Sequence, residues 1–225
     1  MKYKVVAIVP MRHSSERVVG KNYRDFAGKP LFHRIIDTLL ECPRIDKVII
    51  DTDSPIVKEQ TLSKYPDVLV LDRPEHLKDG SIPMNNVLLN SCNSVDSEFY
   101  IQTHSTNPLL TSKTISDALD LFFSQYPVYD SLFTVTRLQQ RLWDPLSRAI
   151  NHNPNILLRT QDLPPTYIEN SCLYLFKKEN LEKKFNRIGD RPLMFEMEEV
   201  EAQDIDVELN FKVAEFLFKE LYPGK

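Results

Sequence analysis

Short apolar, β-branched runs alternate with amphipathic runs of helical period along most of the chain, and few folds tolerate that alternation. Tyr3 to Val9 reads as a buried strand. After Pro30, the residues Leu31, Ile35, Ile36, Leu39 and Leu40 recur at helical spacing. Lys47 to Ile50, Val68 to Leu71, Phe99 to Gln102 and Leu132 to Val135 read as further strands. Ser54-Pro55 supplies an N-cap followed by a first-turn proline, which starts a helix. Met84 to Ser91 and Thr111 to Phe123 read as helices. Near the end, Cys172 to Phe176 is a strand, Lys177 to Phe185 a helix and Leu193 to Met197 a late strand. A last helix spans about Val207 to Tyr222, with Val213, Ala214, Phe216, Leu217 and Leu221 as its apolar positions. This order predicts an α/β fold: a doubly wound, mostly parallel sheet with helices on both faces and right-handed crossovers. Ligands of such sheets bind outside the carboxyl ends of the strands. The alternation breaks between Arg137 and Asn170, where Pro145, Pro154, Pro164 and Pro165 separate short apolar runs. That span, 137–170, reads as an inserted arm.

A length of 225 residues fits one such domain with an embellishment. The net charge of −4, with both signs mixed, argues against a nucleic-acid partner. No stretch approaches the roughly 20 apolar residues of a membrane span. The first apolar run ends at Pro10 with no cleavage pattern behind it. Cys42, Cys92 and Cys172 are odd in number and form no C-x-x-C, so a reduced, cytoplasmic protein is expected.

Two segments carry chemistry. Behind the first strand comes Pro10-Met11-Arg12-His13-Ser14-Ser15-Glu16-Arg17-Val18-Val19-Gly20-Lys21-Asn22. It concentrates Arg12, Arg17 and Lys21 with the hydroxyls of Ser14 and Ser15, which suits a polyphosphate. With five glycines in the whole chain, it is neither a P-loop nor a dinucleotide-binding turn. Near the end, Asp204-Ile205-Asp206 precedes the last helix. In an extended segment residues i and i+2 point the same way, so both carboxylates can face one Mg²⁺ while Ile205 enters the core. Asp206 alone would also serve as an N-cap. His104 is the candidate if a base is wanted, and a hydrogen-bonded loop histidine is the other reading.

The first loop resembles the opening P-A-R-x-G-S-K-R, spacer, G-K-N of the acylneuraminate cytidylyltransferase family, the CMP-sialic acid synthetases and their relatives. Gly28-Lys29-Pro30-Leu31 continues the likeness. Ser14 and Glu16 replace the usual Gly and Lys. Asp51-Thr52-Asp53-Ser54, Arg73-Pro74-Glu75-His76-Leu77, Gln102 to Leu109, Tyr167 to Tyr174 and Asp204-Ile205-Asp206 resemble later motifs of the family, in order. Leu110 stands where the family has Arg, and Ser171-Cys172 where it has a small pair. The resemblance implies a single cytidylyltransferase domain over 1–225 with a nucleotide-diphospho-sugar transferase-like fold. It implies transfer of CMP from CTP to an acidic sugar, with release of pyrophosphate. Arg12, Ser14, Lys21, Asn22, Arg73 and Ser81 would bind CTP, Arg12 and Lys21 standing on the pyrophosphate side. Gln102, His104, Asn170 and Tyr174 would bind the acceptor. Asp204 and Asp206 would hold Mg²⁺ (or Mn²⁺). A homodimer is implied too, with the arm and its Arg141, Trp143 and Tyr167 packed on the partner. The departures keep other acceptors open (an aminoalkylphosphonate, Kdo, legionaminic or pseudaminic acid), as well as a non-catalytic nucleotide-binding module of the same fold.

Overall fold

The structure, a computed structural model, describes residues 3–224. Strands β1 (Tyr3–Met11), β4 (Lys47–Thr52), β5 (Leu69–Asp72), β6 (Ser97–Thr103), β7 (Ser131–Leu138), β8 (Thr166–Phe176) and β9 (Pro192–Glu196) form one sheet. The strand order is β5-β4-β1-β6-β8-β7-β9. A separate two-residue ladder joins β2 (Asp25–Phe26) to β3 (Lys29–Pro30). The helices are α1 (Leu31–Glu41), α2 (Pro55–Lys64), α3 (Met84–Ser94), α4 (Ser112–Gln125), α5 (Lys178–Lys184) and α6 (Glu208–Leu221). β1 pairs in parallel with β4 and β6, β4 with β5, and β7 with β9. Only β8 runs against its neighbours β6 and β7. The expected α/β architecture is therefore present, with one reversed strand that the alternation of apolar runs does not encode. No described helix is long and apolar enough to cross a membrane.

Each face of the sheet carries its own core. Val5, Ala7 and Val9 of β1 alternate with Val6 and Ile8, the period of two expected of a strand buried on both sides. One face packs on Phe32, Ile35, Ile36 and Leu39 of α1 and on Ile115, Leu119 and Phe122 of α4. The other packs on Leu88 and Cys92 of α3 and Leu181 of α5. Ser54 caps α2 as expected, accepting from the Val57 amide at 3.3 Å. Two apolar faces differ from expectation. Leu40 of α1 is exposed, because Phe32 fills the stripe instead. On α6, Phe211, Ala214 and Phe218 turn inward, while Val213, Phe216 and Leu221 face outward. That helix is apolar on more than one face, and the face that meets Phe26, Leu31 and Ile205 is the one buried.

β7 and β8 pair antiparallel out to Leu138 and Thr166, so residues 139–165 leave the sheet as an excursion from one hairpin. The register shifts between Phe133 and Val135. Opposite that shift Ser171 takes a left-handed φ of 59°. The three cysteines are buried free thiols.

Buried polar groups tie the chain ends together. Arg34 of α1 donates to the carbonyls of Phe26 (3.0 Å) and Ala27 (2.6 Å), and its guanidinium lies 4.2 Å from the Phe218 ring. It thus joins the β2–β3 turn to α6. Beside it, His33 is 6% exposed, with Nδ1 3.2 Å from Lys64 Nζ. Burial, then the Lys64 charge, pushes its imidazole down to about 4. The unfolded chain takes up this proton near 6.5 and the folded chain only near 4, so stability falls as pH drops through that window. We expect His33→Gln to reduce the loss of unfolding free energy between pH 7 and 5 by on the order of 1–2 kcal/mol, read by urea denaturation. An unchanged pH slope would show that His33 does not carry it.

Candidate functional site

The segment behind β1 is held by backbone and side-chain anchors other than its cations. The His13 amide donates to Asp53 Oδ1 at 2.7 Å, and its ring Nδ1 is 2.9 Å from Ser54 Oγ. Gly20 has φ 63°, and a Cβ there would come within 2.8 Å of the Tyr23 ring. Asn22 is buried; its amide donates to the Arg12 carbonyl at 2.9 Å and accepts from Ser105 Oγ at 2.7 Å. The loop is thereby pinned to the carboxyl ends of both β4 and β6.

Between this loop, the Asp79–Ile82 turn and α3 lies a cavity of about 390 Å³. Arg12, Arg17, Lys21 and Arg73 bring positive charge to its wall, and Ser14, Ser15, Ser105 and Thr106 bring hydroxyls. Gly80 forms part of the wall against Arg12: a Cβ there would stand 2.3 Å from Arg12 Nη1. Only hydrogen at that position leaves the guanidinium its place. Glu16 and Asp79 are the acidic members of the wall.

The acidic pair meets the same loop. Ile205 is fully buried among Phe26, Leu31 and Phe211, and its amide donates to the Thr106 carbonyl at 3.0 Å. Asp204 and Asp206 flank it. Lys21 Nζ donates to the Ile205 carbonyl at 2.6 Å, and Arg17 pairs with Asp206 at 2.8 Å. Asp204 keeps an open side, yet the protein around its carboxyl displaces water and raises its pKa, and Asp206 adds to the rise. The Thr106 hydroxyl bonds to it and opposes that rise. Burial lowers the pKa of Lys21, against the pull of both carboxylates. No cluster of three or more metal-ligating side chains exists among the described residues. Two hard carboxylates with mutually unfavourable charge do suit a divalent ion that takes its remaining ligands from phosphate oxygens and water.

The other expected site residues divide. Arg73 reaches the cavity wall but is 4% exposed and committed: Nε donates to Asp51 Oδ1 at 2.6 Å and Nη2 to the Asp51 carbonyl at 3.0 Å. Ser91 of α3 donates to the other Asp51 oxygen at 3.0 Å. Ser81 is exposed and is not part of the wall; its hydroxyl and amide both bind Asp79 Oδ1. His104 lines the cavity, and Gln102 lies behind it, fully buried. Asn170 is held within the β7–β8 hairpin, accepting from Thr134 at 2.6 Å and donating to Thr136 at 2.9 Å. Tyr174 is 0% exposed, so its ring presents no face to the cavity; its hydroxyl bonds Glu169 and, at 3.0 Å, Ser171. Leu110 lies in the core beneath the site. Two residues outside the quoted motifs complete the arrangement: Gly80, and Arg187 in the segment after α5, whose guanidinium stacks 3.7 Å from the Tyr174 ring centre.

A mostly parallel sheet that delivers a cation-rich loop to a cavity at its carboxyl edge, with an acidic pair held against that loop, defines an α/β domain of the kind that holds a polyanion. The chain belongs to the cytidylyltransferase family, whose sequence pattern matches residues 6–215. It is similar to N-acylneuraminate cytidylyltransferase A of Danio rerio, at 26% identity over 94% of this chain and 50% of that protein. It is similar at 27% identity to pseudaminic acid cytidylyltransferase of Campylobacter jejuni, over 96% of this chain and 97% of that one. The chain thus spans about half the length of the N-acylneuraminate enzymes it matches, and nearly all of the C. jejuni protein. The structure of CMP:2-keto-3-deoxy-manno-octonic acid synthetase complexed with CTP shares the fold. Its TM-score is 0.73 at 14% identity, over 97% of this chain and 99% of that one.

The Arg73–Asp51 pair sits where neither charge meets water. Arg73→Met strands the Asp51 carboxylate and is expected to cost about 3–5 kcal/mol in urea unfolding. A loss below about 1 kcal/mol would mean that Asp51 reaches solvent.

Proposed function

We propose that the chain transfers CMP from CTP to an acidic sugar of the sialic or related nonulosonic class, releasing pyrophosphate. The observation that carries this reading is the contact of the cationic loop, which walls the cavity, with Asp204-Ile205-Asp206, in a chain of the cytidylyltransferase family. Relatives named for acylneuraminate and pseudaminic acid support the acceptor class.

In this reading the acceptor hydroxyl attacks the α-phosphorus of CTP in line. A new P–O bond forms to the sugar as the bond to pyrophosphate breaks, and the hydroxyl proton is lost to water. Arg12 and Lys21 face the leaving pyrophosphate and stabilise the charge that grows on it. Ser14 and Asn22 belong to the same nucleotide subsite: Asn22 holds the loop's shape, and Ser14 offers a hydroxyl from the wall. Arg17 pairs with Asp206 at an exposed position, where an ion pair is worth roughly 0–1 kcal/mol, so it can exchange that partner for a phosphate at little cost. Mg²⁺ (or Mn²⁺), held by Asp204 and Asp206, would neutralise phosphate charge and orient the phosphates. The remaining work is positioning.

A homodimer joined through the arm belongs to the same proposal. Leu146, Ile150, Ile156 and Leu157 of the arm are exposed by 56–91%, more apolar surface than an isolated hairpin needs. Arg141, Trp143 and Tyr167 stand on the same arm or its base. Ile156→Glu/Leu157→Glu is expected to convert the dimer to a monomer in light scattering. A monomeric parent chain would remove this part of the proposal.

The function is tested by pyrophosphate release from CTP and Mg²⁺ against a panel of sialic, pseudaminic and legionaminic acids, Kdo and an aminoalkylphosphonate. We expect a nonulosonic acid to turn over fastest. We expect Asp204→Asn/Asp206→Asn to stay folded and lose at least about a hundredfold in rate. CTP binding without turnover on any acid would indicate a non-catalytic module. Gly80→Ala, which displaces Arg12 without touching the core, should raise the KM for CTP about tenfold and leave the unfolding midpoint unchanged.

A further inference from the structure

At the carboxyl end of β6 three side chains form a chain of contacts whose hydrogen positions follow from elementary chemistry. Arg187 Nη1 is 2.6 Å from Gln102 Oε1. Gln102 Nε2 is 2.8 Å from His104 Nε2. A guanidinium can only donate, so the Gln102 atom facing it must be the oxygen. The amide nitrogen then faces His104, and an NH₂ group can only donate as well. His104 Nε2 must therefore accept, which requires a bare nitrogen. The single proton of the neutral ring is left on Nδ1, which has no protein partner among the described residues and belongs to a ring on the cavity wall.

The relay is held from two sides. Gln102 and Tyr174 are cross-strand partners on β6 and β8, so their side chains share one face of the sheet. Arg187 stacks on the Tyr174 ring, and the Tyr174 hydroxyl is fixed in turn by Glu169 and Ser171. Gln102 is wholly buried and cannot exchange Arg187 for water. A proton on Nε2 would meet the Gln102 amide head-on. Consistent with this, burial, then the charges of Arg187 and Lys21, pushes the imidazole down to about 4.

We infer that Arg187 and Gln102 lock His104 as a neutral imidazole whose Nδ1–H is a fixed hydrogen-bond donor to an anionic oxygen of the bound substrate, and that His104 is not the general base. Arg187 and Gln102 are positioning residues that act through His104. The tautomer rests on the structure alone; the role toward substrate rests also on the transferase reading given above.

Two measurements separate these layers. In the chain carrying ¹⁵N-labelled histidine, the ring of His104 (assigned by its loss in His104→Asn) should show a protonated Nδ1 and a bare Nε2 at neutral pH. Gln102→Glu replaces the donor by a carboxylate and should move the proton to Nε2. A resting Nε2–H, or an imidazolium, would overturn the inference whether or not the chain turns CTP over. In pyrophosphate release, His104→Asn, which keeps an N–H donor and cannot serve as a base, should stay within about tenfold of the parent. His104→Ala should lose about ten- to a hundredfold. Equal, complete inactivity of the Asn and Ala variants, with both still folded by circular dichroism, would restore the base and sink the donor role. Arg187→Met should show both tautomers of His104 in the same spectrum, and a single unchanged tautomer would remove Arg187 from the relay.

Discussion

The 2.6 Å hydrogen bond from Lys21 to the Ile205 carbonyl is the joint on which the site depends, since it holds the cationic wall of the cavity against a segment 184 positions away. Its strength does not come from charge alone. Ile205 is sealed among Phe26, Leu31 and Phe211, and burying such a side chain contributes roughly 1.5–3 kcal/mol. The exposed Arg17–Asp206 pair beside it adds little by comparison. Apolar packing therefore sets where the carboxylates stand. The ionic contacts are left free to rearrange around a ligand.

The two faces of the sheet are unequal in a way that serves the site. The face under α1 and α4 is dry, filled by aliphatic and aromatic side chains. The face under α3 and α5 turns polar toward the carboxyl edge: Asp51 with Arg73 and Ser91 on one side, Gln102 with Arg187 and Tyr174 on the other. Each of these groups is paired, as burial demands. The period of two along β6 carries the change directly, from Tyr100 in the core through Gln102 to His104 at the cavity.

Much of this was legible in the chain of letters. The alternating runs foretell the layered sheet, and the first loop and Asp204-Ile205-Asp206 announce themselves by charge and by period. What escaped has physical reasons. The reversal of β8 leaves no trace in its own composition, since a buried strand looks alike in either direction. Arg187 sits in an irregular segment with no spacing to mark it, and its meaning arises only when β6 and β8 lie side by side. Tyr174 reads as a substrate contact in sequence, whereas in space it is the floor under Arg187. Ser81 follows Asp79 at the spacing of a local turn, and that turn consumes its hydroxyl. Gly80 is informative only once Arg12 is seen pressed against it.

The reversed strand has a mechanical consequence. Because β8 enters the sheet from the arm, the same backbone runs without interruption from Thr166 past Glu169 and Ser171 to Tyr174, which supports Arg187. Ser171 breaks its regular pleat at a left-handed residue midway. A path from the arm to Tyr174 therefore runs through this kink. The arm and the Arg187–Gln102–His104 contacts are thus joined through a single strand.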